Sequence, residues 1–446
     1  MNSRGALRRP TFASGRDAVK ADGVLADHSL VTVLETDRDP GIVASGRPSG
    51  IVAQRGRRRW GMSTATLRYL VTVFFASRLV NIFFVLRGRR GIIPFALVDA
   101  GPGAGGSLVS PWTFFDGRWY LKVSGSGYED FTSVFYPLYP NLLKLAGANP
   151  VHRAVFGIAL STVCFAIALP LLFRLVESSH GTRSARLTCA ITAFMPFSAV
   201  WGAVYTESLA LLLLVLTWTF VRQERWVHAA LPALLVGLTR NVGFVLAGAM
   251  FVEFLQQRSD AAKVHSGSFH GRPRRQSRMR IATVLVTCAL PALASGGFML
   301  WANHRFGGAG GLAAQKAYAR GLEWPWWALW KDLASFQSYL TIGKIFALGG
   351  LFLAAAVSIS QRRRLRLGEH LLVWGVMAMH LLLARQNPPH TIGAARYLMT
   401  CFPFATALAL CIERLPRRWM TPLAMLLVSM CAIGATTFGA GQFEIG

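Results

Sequence analysis

Apolar residues fall in long blocks along this chain, and the residues that separate the blocks are rich in arginine. A helix crossing the hydrocarbon core of a bilayer needs about 20 predominantly apolar residues. Blocks of that length or somewhat less lie at 65–86, 154–176, 187–204, 207–221, 281–302, 341–360, 369–385, 396–412 and 419–437. One further block, 226–254, is interrupted by Thr239, Arg240, Asn241 and Gly243 and has basic residues at both ends. Two short helices forming a hairpin, with Arg240 at its tip, keep both ends on one side of the membrane. A single tilted span would invert everything after it. The hairpin leaves the basic runs on a common side, and the pattern then predicts an all-α polytopic membrane protein with about eleven membrane segments.

Composition agrees with that pattern. Of the 446 residues, 53% are hydrophobic and 15% charged, against roughly 25% charged in a soluble domain. The formal net charge of +27 invites a nucleic-acid reading, but the positions of the charges decide against it. They sit in short runs between apolar blocks: Arg57–Arg59, Arg222 and Arg225, Arg272–Arg280, Arg362–Arg366, and Arg414–Arg418. Cytoplasmic loops carry arginine in this way, and no groove-reading motif accompanies them. Arg87, Arg89 and Arg90 run against the rule, because they follow the first block on the other side. Residues 1–62 read as a disordered basic cytoplasmic tail, with Met62 as an alternative start, and 63–440 as the membrane domain. The six cysteines have neither metal-ligand nor redox spacing and read as small buried hydrophobes. No internal repeat is visible, which argues against a transporter built from duplicated halves.

This orientation gathers the polar residues of distant segments on the non-cytoplasmic face. They are Asp116 in a first external loop (88–151), Glu207, Arg240, a late external loop (303–340), and Arg396. An ionisable residue in a membrane segment costs about 2.5–3.5 kcal/mol on insertion and is a functional candidate by default. Together with Arg78 in the first block, these groups either neutralise one another structurally or form a reaction centre. Glycosyl transfer from a lipid-phosphate sugar requires a carboxylate to take the acceptor proton and cations to meet the departing phosphate. An aspartate beside arginines supplies both. Trp119, Tyr120, Tyr128 and the Trp324–Trp327 cluster are either sugar-stacking faces or anchors at the membrane interface.

The stretch FFDGRWYLKVSGSGY followed by VFYPLYP (114–140) resembles the first external loop of the PIG-V family. These are glycosylphosphatidylinositol mannosyltransferase II and its bacterial relatives, within the multi-spanning GT-C glycosyltransferases. Asp116, Trp119, Tyr120, Gly127, Tyr128 and Pro137-Leu138-Tyr139-Pro140 match, while Phe115 and Tyr136 replace a Trp and a Phe. Tyr205-Thr206-Glu207-Ser208, Leu238-Thr239-Arg240, Gln315, Arg320, Trp324-Pro325-Trp326 and Arg396-Tyr397-Leu398 continue the resemblance in order, with Asn241 replacing a Pro.

The resemblance implies a GT-C fold and an inverting transfer of mannose from polyprenyl- or dolichyl-phosphate mannose to a glycolipid or glycan acceptor. By that analogy Asp116 is the base and Glu207 a second carboxylate orienting the acceptor. Arg240 and Arg396 would bind the donor phosphate, and Trp119, Tyr120, Tyr128, Tyr139, Tyr205 and Trp326 the substrates. No nucleotide-binding fold is legible, so neither a nucleotide-sugar donor, a metal nor another cofactor is expected. The alternatives are a GT-C enzyme moving another sugar, a lipid-linked sugar flippase or transporter, and a non-catalytic scaffold partnered by an accessory membrane subunit. The membrane is the plasma membrane in a bacterium, which the Arg/Ala/Gly/Leu-rich composition suggests, or the endoplasmic reticulum in a eukaryote.

Overall fold

The structure is a computed structural model that describes residues 62–89, 108–266, 278–335, 342–386, 389–390 and 393–441. The expected tail, apart from Met62, lies outside the described residues, as do 90–107 of the first external loop and the basic residues Arg272, Arg274 and Arg275. A backbone within hydrocarbon must satisfy its own polar groups, so the apolar blocks fold as helices. The first is α1 (Thr64–Arg89). Two short helices, α2 (Asp116–Ser126) and α3 (Leu138–Leu143), lie in the external stretch. The Asn149 side chain caps α4 (Pro150–His180) by accepting from the N–H groups of Val151 and His152. Next come α5 (Thr182–Phe194), a 3-10 turn at Ser198–Gly202, and α6 (Glu207–Arg222).

The interrupted block 226–254 is two helices, α7 (Trp226–Thr239) and α8 (Gly243–Ser266). Arg240 at the break meets Glu207 at the start of α6, while Glu253 on α8 meets Arg222 at its end. Those ends are about 22 Å apart along the helix. The chain therefore doubles back as the hairpin the pattern predicts. It continues through α9 (Arg278–Arg305), a 3-10 turn at Ala313–Tyr318, α10 (Pro325–Ala334), α11 (Ile342–Ser360) and α12 (Leu367–Leu382). A two-residue antiparallel pair, β1 (Arg385–Gln386) and β2 (Pro389–His390), precedes α13 (Gly393–Thr400) and α14 (Phe402–Ile412). The last two helices meet at 82°. Pro403 in the first turn of α14 cannot continue the α13 ladder, so the block breaks there. The final helix is α15 (Met420–Gly439).

Each expected apolar block is thus a helix or a helix pair, save that 187–204 leaves the helix after Phe194 for the turn at Ser198–Gly202, and the chain is an all-α membrane protein. Its helices differ in reach. Among the described residues four, namely α1, α4, α9 and α15 with the turn before it, are long and apolar enough to cross a membrane, and the bent pair makes a fifth if it is one span. Of the others, α6 and α7 are short, with 16 and 14 residues, about 24 and 21 Å.

On α1, Leu67, Phe75, Leu79 and Phe83 are more than half exposed, whereas Tyr69, Val73, Ser77 and Val85 are buried. Such an apolar outer face suits hydrocarbon. The inner face packs on α15 through small residues. A Cβ at Gly88 would lie 2.1 Å from the Thr436 carbonyl oxygen, and one at Gly439 would lie 2.0 Å from that of Val85. Close backbone approach of this kind is how helices associate without a hydrophobic driving force. Arg78 belongs to this packing. Its Nη1 donates to the Ser198 carbonyl at 3.0 Å and its guanidinium lies 5.0 Å from the Phe165 ring centroid. The six cysteines are free, and only Cys411 is partly exposed.

At the end of α6 away from Glu207, the arginines of the basic runs meet carboxylates. Arg366 pairs with the fully buried Glu253 at 2.8 Å and with Asp260 at 3.2 Å, and Arg364 pairs with Glu413 at 2.6 Å. These ion pairs and the Glu207–Arg240 pair therefore lie at opposite ends of α6. Replacing Gly439 by Leu is expected to force α1 and α15 apart and lower stability by about 1–3 kcal/mol. Gly297→Ala, where an added Cβ meets nothing within 4 Å, is the control and leaves the thermal midpoint in detergent unchanged.

Candidate active site

Asp116 is the first residue of α2, and three contacts fix its approach. The Val204 N–H donates to the Trp112 carbonyl at 2.9 Å, and the Tyr205 hydroxyl donates to the Phe114 carbonyl at 3.0 Å. Gly117 is the third, since a Cβ there would already lie 3.3 Å from the Val204 carbonyl oxygen. Phe115 has φ 54° and ψ −119°, a region sparsely populated by residues with a side chain and worth of order 1–3 kcal/mol of strain. Its ring packs against Phe114 and Phe438, and that packing holds the bend. The bend presents Asp116 at the start of the helix, where a carboxylate faces the positive end of the helix dipole.

Three further segments bring charges to the same place. Arg396 on α13 donates through Nη1 to Asp116 Oδ2 at 2.5 Å, and its Nε lies 3.2 Å from Glu207 Oε1. The second contact is an ion pair without hydrogen-bond alignment. Arg240 donates through Nη1 to Glu207 Oε1 at 2.6 Å and to Thr206 Oγ1 at 3.1 Å. Two carboxylates and two guanidiniums therefore form one chain of contacts, Asp116–Arg396–Glu207–Arg240. Tyr397 lies beside both cations, 4.2 Å from Arg240 and 5.7 Å from Arg396, measured from guanidinium carbon to ring centroid.

Exposure separates the two acids. The Asp116 side chain is 20% exposed and that of Glu207 only 1%. Asp116, Arg240 and Arg396 line a cavity of about 640 Å³, and Glu207 is not among its lining residues. Asp116 is the only carboxylate on the described wall, against five arginines: Arg118, Arg240, Arg320, Arg385 and Arg396. Such a wall favours an anion, and guanidinium groups match phosphate oxygens in pairs. Phe244, Met299, Leu312, Met379 and Leu383 add an apolar portion.

The predicted substrate residues divide. Trp119 and Tyr120 line the cavity. The Tyr120 hydroxyl lies 3.3 Å from Thr206 Oγ1, and the Trp119 ring stacks on the Arg118 guanidinium at 4.6 Å. Tyr205 stands behind the cavity, holding the Phe114 carbonyl. Tyr139 is fully buried and hydrogen-bonds to Gly157 and Ser161, which also lie off the cavity wall. Tyr128 donates to the Phe135 carbonyl and packs against Phe298 and Trp301.

Trp326 is 67% exposed and stacked on Trp324, on a helix tied down by the fully buried Asp332–Lys344 pair. It faces outward, as an interface anchor does. Sequence reading gave no role to Thr206, Tyr397, Tyr318, Arg118 or Arg385. The first two adjoin Glu207 and Arg396 in the chain, and Arg118 adjoins Trp119. Arg385 and Tyr318 carried no local signal, because only the tertiary fold brings them to the wall.

No family model and no curated protein matches the chain. Among solved structures it is similar to ArnT from Cupriavidus metallidurans bound to undecaprenyl phosphate. That match has 11% identity and a TM-score of 0.47, covering 86% of this chain and 77% of that one. It is also similar to the archaeal oligosaccharyltransferase AglB from Archaeoglobus fulgidus in complex with an inhibitory peptide and a dolichol-phosphate. There the identity is 14% and the TM-score 0.42, and the match covers 85% of this chain and 56% of that one. The chain thus spans little more than half the length of the archaeal protein. Likeness of this degree carries no argument about chemistry, which rests here on the geometry of the chain itself.

Breaking a buried ion pair by removing one partner typically costs about 3–5 kcal/mol. Glu207→Gln is expected to lower the thermal midpoint strongly, because it leaves the buried Arg240 without a carboxylate and takes one of two from Arg396. Adding Arg240→Gln is expected to recover part of that loss. Strictly additive effects in this double-mutant cycle would mean that the pair is not coupled.

Proposed function

We propose that the protein is a membrane-embedded GT-C-type glycosyltransferase that uses a polyprenyl- or dolichyl-phosphate sugar, with mannose the sugar that the PIG-V-like motifs favour. The observation that carries the reading is the direct pairing of Asp116, the sole carboxylate on the described wall, with Arg396, in a cavity lined by four further arginines. A base and an anion clamp stand side by side. The apolar portion of the wall suits the first part of a prenyl chain, and Trp119 and Tyr120 offer ring faces to a sugar.

In the proposed reaction the acceptor hydroxyl oxygen bonds to the anomeric carbon from the face opposite the phosphate. The bond between that carbon and the phosphate oxygen breaks, and its electron pair leaves on the phosphate. The hydroxyl proton passes to Asp116, so the sugar configuration inverts in one displacement. Arg396 links the two changes of charge. Asp116 loses its negative charge as it takes the proton, which weakens its hold on Arg396 at the moment the phosphate gains charge. The guanidinium is then available to the phosphate, with Arg240 beside it. Preorganised cations in a low-dielectric site stabilise such charge without solvent reorganisation. Glu207 acts through the arginines, holding both in place. The acceptor would be a glycolipid or glycan on the non-cytoplasmic face of a plasma or endoplasmic reticulum membrane.

Asp116→Asn is expected to lower kcat for transfer from polyprenyl-phosphate mannose by about 10²–10⁴, the range for a positioned general base. The affinity of that variant for sugar-free polyprenyl phosphate should change far less. Retained full transfer by purified Asp116→Asn protein would end the assignment of Asp116 as base.

A further inference from the structure

The wall formed by the late external stretch differs in chemistry from the arginine side. Its backbone is pinned. The Gly311 N–H donates to Ser133 Oγ at 2.9 Å, the Gln386 N–H donates to the Ala319 carbonyl at 2.8 Å, and the Arg320 N–H donates to the Gln315 carbonyl at 3.0 Å. Gly311 has φ 61°, and a Cβ there would lie 2.6 Å from the Met299 carbonyl oxygen, so the turn sits directly on α9. Ala319 also adopts a positive φ of 54°, which turns the chain from the 3-10 segment into its bridge with Arg385.

On this fixed frame two neutral polar side chains line the cavity, Gln315 and Tyr318. Gln315 Oε1 and the Tyr318 hydroxyl are both buried, and neither has a hydrogen-bond partner among the described residues. Buried polar atoms are normally paired, and each exception calls for an explanation. Two exceptions three residues apart on one cavity wall have a common explanation if the cavity's occupant completes them. The Tyr318 ring is held by Phe135, with centroids 6.2 Å apart. Burial and the nearby Asp116 carboxylate both raise its phenol pKa, so the hydroxyl keeps its proton and can donate. A neutral amide and a neutral phenol offer little to a phosphate that has arginines within reach. They suit the hydroxyls of a sugar, which both donate and accept.

We propose that Gln315 and Tyr318 form a sugar-hydroxyl subsite beside Asp116, which recognises a hexose ring while the arginines hold the phosphate. The proposal rests on the lipid-phosphate glycosyl-transfer reading, and the ring could belong to the donor or to the acceptor. Binding of three ligands to wild-type protein and to Tyr318→Phe and Gln315→Leu distinguishes these cases: polyprenyl phosphate, polyprenyl-phosphate mannose, and a short-chain alkyl mannoside. Each variant is expected to weaken a sugar-bearing ligand about five- to tenfold, the worth of one hydrogen bond. The affinity for sugar-free polyprenyl phosphate stays within about twofold, which also reports an intact fold. A loss on polyprenyl-phosphate mannose assigns the subsite to the donor sugar, and a loss on the alkyl mannoside assigns it to the acceptor. Unchanged affinity for both sugar ligands, or an equal loss on sugar-free lipid, overturns the subsite. Wild-type protein that binds none of the three overturns the lipid-phosphate reading and the subsite with it.

Discussion

Four charges from four distant segments share one small buried volume, and the structure depends on their mutual neutralisation. Arg396 bridges Asp116 and Glu207, and Glu207 also holds Arg240. Any one of these groups alone in a low-dielectric interior would be severely destabilising. Together they leave a single partly exposed acid, Asp116, at the edge of a cavity rich in arginine. The helix break at Arg240, the 82° bend before Phe402 and the strained turn at Phe115 all serve that meeting. Each is a place where regular helix gives way so that a side chain can reach the cluster.

The same arrangement gives the two acids different work. Glu207 is enclosed by guanidinium groups and acts on anything in the cavity only through them. Asp116 shares one oxygen contact with Arg396 and remains at the wall. In the proposed reaction this asymmetry separates the proton acceptor from the residue that positions the clamp. Charge at the opposite end of the helices is arranged otherwise. There Glu253, Asp260 and Glu413 pair with Arg222, Arg364 and Arg366, which ties helix ends together.

Much of this was legible in the sequence because lipid imposes a simple rule on it. Apolar blocks become helices, and an arginine, a glutamate or an aspartate left at their edges must find a partner. That logic located Asp116, Glu207, Arg240 and Arg396 and the hairpin at Arg240. It could not tell which aromatic residues face a cavity. Tyr139 and Trp326 are alike in a hydropathy profile, yet one is fully buried in helix packing and the other points outward. Hydropathy also does not fix reach, since α6 and α7 are apolar helices of only 16 and 14 residues. The wall carrying Gln315, Tyr318 and Arg385 depends on loop contacts more than a hundred residues apart, such as Ser133 with Gly311. No local pattern encodes those.

The central claim is that one cavity holds the lipid phosphate against Arg240 and Arg396 with the sugar carbon facing Asp116. An experimental structure of the protein with bound polyprenyl-phosphate mannose tests it most directly. The account predicts phosphate oxygens within hydrogen-bond distance of both arginines and open space for an acceptor oxygen between the anomeric carbon and Asp116. A phosphate bound instead at the Arg222–Arg366 end of the helices, with Asp116 still closed on Arg396 and remote from the sugar, would contradict it.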